Sequence, residues 1–148
     1  MNIIPVTQEN LAQAARIHAV SWQESHRAFC TPAFVAQHTP QRQAAYLQKE
    51  MASGGRLWML EDDGPVGIVS VSAEDEIANL YVLPEKQCRG YGTALLKFAI
   101  GQCRGNARLY VLDNNDRARQ LYVRHGFRET GHRNQLSDTL WEIEMIRK

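Results

Sequence analysis

The stretch Gln87-Cys88-Arg89-Gly90-Tyr91-Gly92-Thr93 sets two glycines and an arginine between an apolar run, Ile77 to Leu83, and a helical pattern, Ala94 to Ile100. Glycines this close weaken regular structure, so the bare backbone serves some other purpose. A loop that ends a strand and opens a helix can hold an anion. The first helical N–H groups have no intrahelical partner, and the helix dipole adds partial positive charge. Gly90 and Gly92 let an anion approach without a Cβ in the way, Arg89 and Lys86 add charge, and Thr93 adds a hydroxyl. The ligand this suits is a phosphate or diphosphate. A mononucleotide P-loop is excluded, because no GxxxxGK[ST] string exists, and the dinucleotide pattern GxGxxG fails because Leu95 stands in place of its third glycine. Taken alone, Gly-x-Gly also fits a tight turn with no ligand.

Other chemistry is sparse. The histidines His18, His26, His38, His125 and His132 lack metal-ligand spacing such as HExxH, so no metal is expected. Cys30, Cys88 and Cys103 are an odd set without a CxxC pair, which points to reduced thiols and a cytoplasmic setting.

The elements that must carry the loop follow from periodicity and punctuation. Asn2 to Val6 reads as a strand. Thr7 offers an N-cap to a helix in which Leu11, Ala14, Ala15, His18 and Trp22 recur at helical spacing to about Trp22. Residues 23–38 are irregular, with a short helix around Pro32 to Gln37. Thr39-Pro40 starts a helix that runs to about Ala52 and stops at Gly54-Gly55. Arg56–Glu61 and Val66–Ser72 form a hairpin about Asp62-Asp63-Gly64-Pro65. Glu76–Leu83 is the next strand, and the helix after the glycine loop reaches about Cys103. Ala107–Leu112 is a strand, Asn115 caps a helix ended by Gly126, and Phe127–Leu136 with Thr139–Ile146 close the chain as a hairpin. The order β-α-α-β-β-β-α-β-α-β-β implies an α/β chain with a mixed sheet and helices on its faces.

The 148 residues suit one domain over 1–148, and 44% apolar with 22% charged residues is ordinary for a soluble globular chain. A net charge of +1 argues against broad nucleic-acid binding. No apolar run approaches a membrane span, and the start MNIIPVTQEN lacks the basic and apolar regions of an export signal. Neither nucleic acid nor membrane is therefore an expected partner.

The string Gln87-Cys88-Arg89-Gly90-Tyr91-Gly92 matches Q/R-x-x-G-x-G/A in full, and so resembles the signature of the GNAT superfamily of acyl-CoA-dependent N-acyltransferases. Glu76 to Pro84 looks like that family's central strand. Asn115-Asp116-Arg117-Ala118-Arg119-Gln120-Leu121-Tyr122 with Gly126-Phe127 resembles its N-x-x-A-x-x-L-Y…G-F segment. The likeness covers nearly the whole chain, with the first 55 residues fitting only loosely. It implies a mixed, mostly antiparallel sheet of about seven strands, splayed between strands 4 and 5.

The resemblance also assigns roles. The backbone of Gln87, Cys88, Arg89, Gly90, Tyr91, Gly92 and Thr93 would bind the diphosphate of acetyl-CoA, the acyl donor. The donor's arm would pair with backbone near Val82. The N–H of Leu80 would face the thioester carbonyl and stabilise its developing negative charge. Asn115 matches a position that binds the cofactor arm, and also reads as a plain N-cap. Tyr122 matches the acid that protonates the departing thiolate, a phenol of pKa about 10 against a thiol of about 8.5; the other reading is a packed aromatic. Glu76 sits where some branches carry a base for the amine. Equally, it reads as an exposed carboxylate of the run Glu74-Asp75-Glu76 that attracts a cation.

Trp22, His26 and Phe29, with His38, gather in the irregular stretch where acceptor choice is expected. Trp58 and Trp141 sit in apolar strands and read as core. Cys88 and Cys103 would support an acyl-cysteine route only if near the thioester, and Cys88 lies in the diphosphate loop instead. The implied activity is acetylation of a primary amine, on a small molecule or a peptide, by direct attack in a ternary complex. A non-catalytic acyl-CoA sensor and a nucleotide-binding module are the alternatives. A homodimer is a further expectation from the family.

Overall fold

In a computed structural model that describes residues 1–148, the elements run β1 (Asn2–Pro5), α1 (Leu11–His26), α2 (Pro32–Ala36), α3 (Pro40–Ala52), β2 (Arg56–Glu61), β3 (Pro65–Val71), β4 (Ile77–Val82), α4 (Tyr91–Gln102), β5 (Ala107–Leu112), α5 (Asp116–Arg124), β6 (Phe127–Gln135) and β7 (Trp141–Arg147). A 3-10 turn, Pro84–Lys86, links β4 to the glycine loop. Local chemistry sets most boundaries. The Thr39 hydroxyl accepts from the Arg42 N–H at 3.2 Å with Pro40 in the first turn, and Asn115 caps α5 by accepting from the Ala118 N–H at 3.1 Å.

The first helix departs from its sequence reading at both ends. Thr7 and Asn10 form a turn of their own, in which the Thr7 N–H donates to Asn10 Oδ1 at 2.7 Å, so α1 begins at Leu11 rather than after Thr7. It then runs beyond Trp22 to His26. That last turn carries Gln23, Glu24 and Ser25, whose polarity hides the helical period.

The strands form two antiparallel sheets, ordered β1-β2-β3-β4 and β5-β7-β6. The sequence-expected sheet of about seven strands is therefore present, split between strands 4 and 5. Alternation along β2 divides the core. Leu57 and Met59 face α1 and α3 with Leu11, Ala15 and Leu47, while Trp58 and Leu60 face α4 with Leu95, Leu96 and Phe127. Each fully buried Leu or Phe contributes on the order of 2 kcal/mol. Trp141, expected in the core, is only half-buried under the Arg133 guanidinium, 5.0 Å from its ring centre.

The sheets are joined at one point. Glu76 and Arg108 make a lone parallel bridge, and the Arg108 N–H donates to the Asp75 carbonyl at 3.0 Å. The Asp75 carboxylate then accepts from the N–H groups of Gly105 at 2.8 Å and Arg104 at 3.1 Å, which hold it below the usual carboxylate range. Asp75 is thus a clamp between the start of β4 and the α4–β5 turn, not merely part of a solvated acidic run. Past this clamp β4 and β5 have no ladder between them.

Gly67 in β3 seats α4 against the sheet. A Cβ there would lie 2.8 Å from both Leu95 Cδ1 and the Tyr81 carbonyl oxygen. Gly67→Ala is expected to destabilise the fold by about 1–3 kcal/mol in urea unfolding, because backbone and a packed leucine must both move; a variant as stable as wild type contradicts this packing.

Candidate active site

The gap between β4 and β5 is a cavity of about 730 Å³. One wall is β4 from Ile77 to Val82, the other is Tyr110 to Leu112 of β5, and Asn115 and Tyr122 of α5 line it too. Ser21, His26 and Phe29 reach it from the far end of α1. Gln87 joins its wall at the entrance to the glycine loop.

In that loop the amides of Cys88, Arg89, Gly90, Tyr91, Gly92 and Thr93 make no hydrogen bond within the protein; the first bonded one is Ala94, to the Gly90 carbonyl at 3.0 Å. Gly90 caps α4 in the left-handed region, φ +87°, and Cys88 is also left-handed at φ +64°. These turns direct successive amides outward as a concave nest. A Cβ on Gly90 would meet nothing within 4 Å, and one on Gly92 would meet only Val82 Cγ2 at 4.0 Å. Gly90 is thus required for its backbone angle, and space above both glycines is open to a ligand. The Gln87 side chain donates to the Val82 carbonyl at 3.2 Å and ties the loop to β4. Arg117 Nη2 stands 2.7 Å from Cys88 Sγ and adds a cation beside the nest. Cys103 is half-buried just past the end of α4, its thiol pushed up by burial, away from the β4–β5 gap.

β4 is interrupted where it faces the cleft. The β3–β4 register shifts between Ile68↔Tyr81 and Ser70↔Ala78, so β4 carries one extra residue. Asn79 occupies this bulge at φ +52°. Its Oδ1 accepts from the Tyr46 hydroxyl at 3.3 Å and lies 3.2 Å from His18 Nε2, and its amide nitrogen donates to Ser70 Oγ at 2.9 Å. Gln43 donates to His18 Nδ1 at 2.7 Å, so Nε2 carries the imidazole hydrogen and donates to Asn79. Burial pulls the His18 pKa down to about 4. Neither Asn79 nor this network was legible beforehand, although an asparagine inside an apolar strand is a mild bulge signal.

Tyr122 packs edge-on to Phe127, ring centres 6.0 Å apart, yet its hydroxyl makes no hydrogen bond within the protein and its residue lines the cleft. Burial pushes its phenol up to about 12, so the proton stays on at neutral pH. Asn115 both caps α5 and lines the cleft. Glu76 is placed differently. It lines an adjoining cavity of about 240 Å³ with Tyr46, Glu50 and Glu74, which meets the cleft at Ala78. Burial pushes its carboxyl up, Arg108 pulls it partly back, and Glu142 and Glu50 push it further. Glu142 itself lines the cleft.

The aromatic residues at the end of α1 do assemble. Trp22 is sandwiched between His26, at 3.9 Å, and His38, at 3.5 Å, with Phe34 edge-on and Phe29 beside His26. Of the expected acceptor-contact residues, His26 and Phe29 face the cleft. Trp22 lines a separate cavity of about 330 Å³ with His18, His38 and Tyr46, which shares Asn79 and Tyr81 with the cleft.

A family model described as Acetyltransferase (GNAT) family matches residues 16–127, and the chain belongs to that family. Acetyl transfer is accordingly its class of activity. No curated sequence matches it. Its fold is similar to PaiA N-acetyltransferase from Thermoplasma acidophilum, solved in complex with coenzyme A, at TM-score 0.77 and 19% identity over 100% of this chain and 99% of that one. It is also similar to ribosomal-protein-alanine N-acetyltransferase from Brucella melitensis, at TM-score 0.75 and 18% identity over 99% of each chain. A third likeness is to a Corynebacterium glutamicum protein described as histone acetyltransferase HPA2 and related acetyltransferase, at TM-score 0.77 and 19% identity over 99% of this chain and 94% of that one. No helix is long and apolar enough to cross a membrane.

The buried, neutral His18 gives a pH test. The folded protein resists its protonation until about pH 4, whereas the unfolded chain accepts the proton from about 6.5. Stability is then full above pH 6.5 and falls as the pH drops to 4. The loss is on the order of 3 kcal/mol over that window. Urea unfolding of wild type and His18→Gln at pH 7 and pH 4 should show the steeper fall in wild type; equal slopes contradict a buried neutral imidazole.

Proposed function

We propose that the protein is an acetyl-CoA-dependent N-acetyltransferase that acylates a primary amine by direct attack in a ternary complex. The observation that carries this reading is the run of unbonded amides from Cys88 to Thr93 at the mouth of the β4–β5 cleft. That nest, with open space where a Cβ would stand on Gly90 and Gly92, fits a diphosphate. Bound acetyl-CoA supplies an activated thioester and a thiol leaving group.

The remaining work falls to the chain. Arg89, Lys86 and Arg117 add positive charge around the nest. Asn115 and the β4 backbone near Val82 line the path for the donor's arm. Leu80 follows the bulge directly, and its N–H is the donor assigned to the acyl oxygen; a donor fixed in a strand needs no reorganisation as charge develops. Tyr122 holds a proton on its phenol oxygen for the leaving sulfur, and the same burial that raises the phenol raises a thiolate's affinity for that proton. An ammonium ion cannot attack, so a proton must leave the acceptor. Glu76, half-buried and pushed up in pKa, accepts it directly or through water, and Glu142 adds negative potential that draws a cationic amine inward. His26 and Phe29 contact the acceptor from the α1 side.

Two variants test the site. Gly92→Glu places a carboxylate where the diphosphate belongs, yet acidic residues favour a helix N-terminus and no atom crowds the position. Coenzyme A affinity by calorimetry is expected to fall at least tenfold with the unfolding midpoint unchanged or raised; undiminished affinity moves the diphosphate elsewhere. Tyr122→Phe is expected to lower kcat for thiol release by about 10- to 100-fold with little change in coenzyme A affinity. An unchanged kcat where chemistry limits turnover removes Tyr122 from the reaction.

A further inference from the structure

We propose that Asn79 is a positioning residue for acyl transfer, held in its bulge by His18, Gln43, Tyr46 and Ser70, and that this assembly sets the phase of β4 beside the cleft. This rests on the acetyl-transfer reading above.

The phase argument comes from the side chains. Ile77 packs into the α4-side core. Asn79 turns to α1 and α3, where it meets His18 and Tyr46. Leu80 and Val82 return to the α4 side, while Tyr81 and Leu83 pack on the α1 side. Strict alternation from Ile77 would have put Asn79 on the α4 side and reversed every residue after it. The extra residue therefore decides which way the backbone and side chains of 80–82, the wall of the cleft, are presented.

The bulge is over-determined. A left-handed residue with a Cβ is unfavourable and persists where its surroundings fix it, asparagine being among the better tolerated. Anchors come from three elements: His18 on α1, Tyr46 on α3 and Ser70 on β3. Gln43 of α3 fixes the imidazole tautomer, and Tyr81 braces the ring edge-on at 4.9 Å. The Ser70 hydroxyl donates onward to the Ala78 carbonyl at 3.1 Å, so both residues flanking the register shift are held. Glycine would satisfy the backbone angle alone. The polar anchors add a fixed orientation, and they tie the acyl-side strand to α1 and α3, which carry Trp22 and Tyr46 on the adjoining cavity.

Asn79→Gly separates these roles, because it keeps the left-handed backbone accessible and removes every anchor. The test measures coenzyme A binding by calorimetry, together with thiol release from acetyl-CoA with spermidine, 2-phenylethylamine and an alanyl peptide as amines. A fall in kcat of tenfold or more, with coenzyme A affinity within threefold of wild type, is expected. His18→Leu should reproduce that split if it folds. Turnover of Asn79→Gly within twofold of wild type overturns the proposal. So does a parallel loss of coenzyme A binding, which reduces Asn79 to a structural part. Wild-type protein that fails to bind coenzyme A instead removes the acetyl-transfer reading, and the positioning role with it.

Discussion

The cleft exists because β4 and β5 are pinned at one end only. The Asp75 carboxylate and carbonyl gather three N–H groups, from Arg104, Gly105 and Arg108, and the lone Glu76–Arg108 bridge sits beside them. β4 belongs to one sheet and β5 to the other, and both sheets pack on a common core with α4, so no ladder beyond the clamp is needed to hold them together. The strands part, and the separation leaves β4 and β5 without a common ladder along the cavity. Buried or half-buried main-chain groups require partners, so such a gap is suited to an extended ligand that pairs like a strand.

The glycine loop and the bulge solve different problems at the two ends of this gap. The loop concentrates unpaired donors at the start of α4, where the dipole reinforces them. The bulge re-phases β4 so that Leu80 and Val82 lie on the α4 side while Tyr81 packs toward α1. Both rest on left-handed residues, Cys88 and Gly90 in one case and Asn79 in the other. Backbone conformations that are unfavourable locally are thus placed at the glycine loop and in the cleft wall, and are held by regular elements on either side.

Much of this was legible in the sequence, and what escaped has a physical cause. Thr39-Pro40, Asn115 and Gly126 mark helix ends through local capping, so their boundaries could be read directly. The Gln87–Gly92 loop was legible for the same reason, since its chemistry is in its own backbone. Asp75 and Asn79 were not, because their partners are distant: Asp75 meets Gly105 and Asn79 meets His18 only after the sheets assemble. For Glu76 the sequence leaves a base for the amine and an exposed carboxylate as equal readings, and the side chain is half-buried. Its place in an adjoining cavity depends on the bridge to Arg108, which no local pattern encodes. The aromatic residues at the end of α1 do form a group, but Trp22, held between His26 and His38, lines the adjoining cavity and not the cleft.

The central claim is that the amides from Cys88 to Thr93 are the donors that grip a diphosphate. Hydrogen exchange resolved to single residues, with and without coenzyme A, measures this most directly. Those amides should exchange freely in the isolated protein and become strongly protected on binding, with smaller protection spreading along β4 around Val82. Protection confined to other segments, with residues 88–93 exchanging as fast as before, would contradict the account.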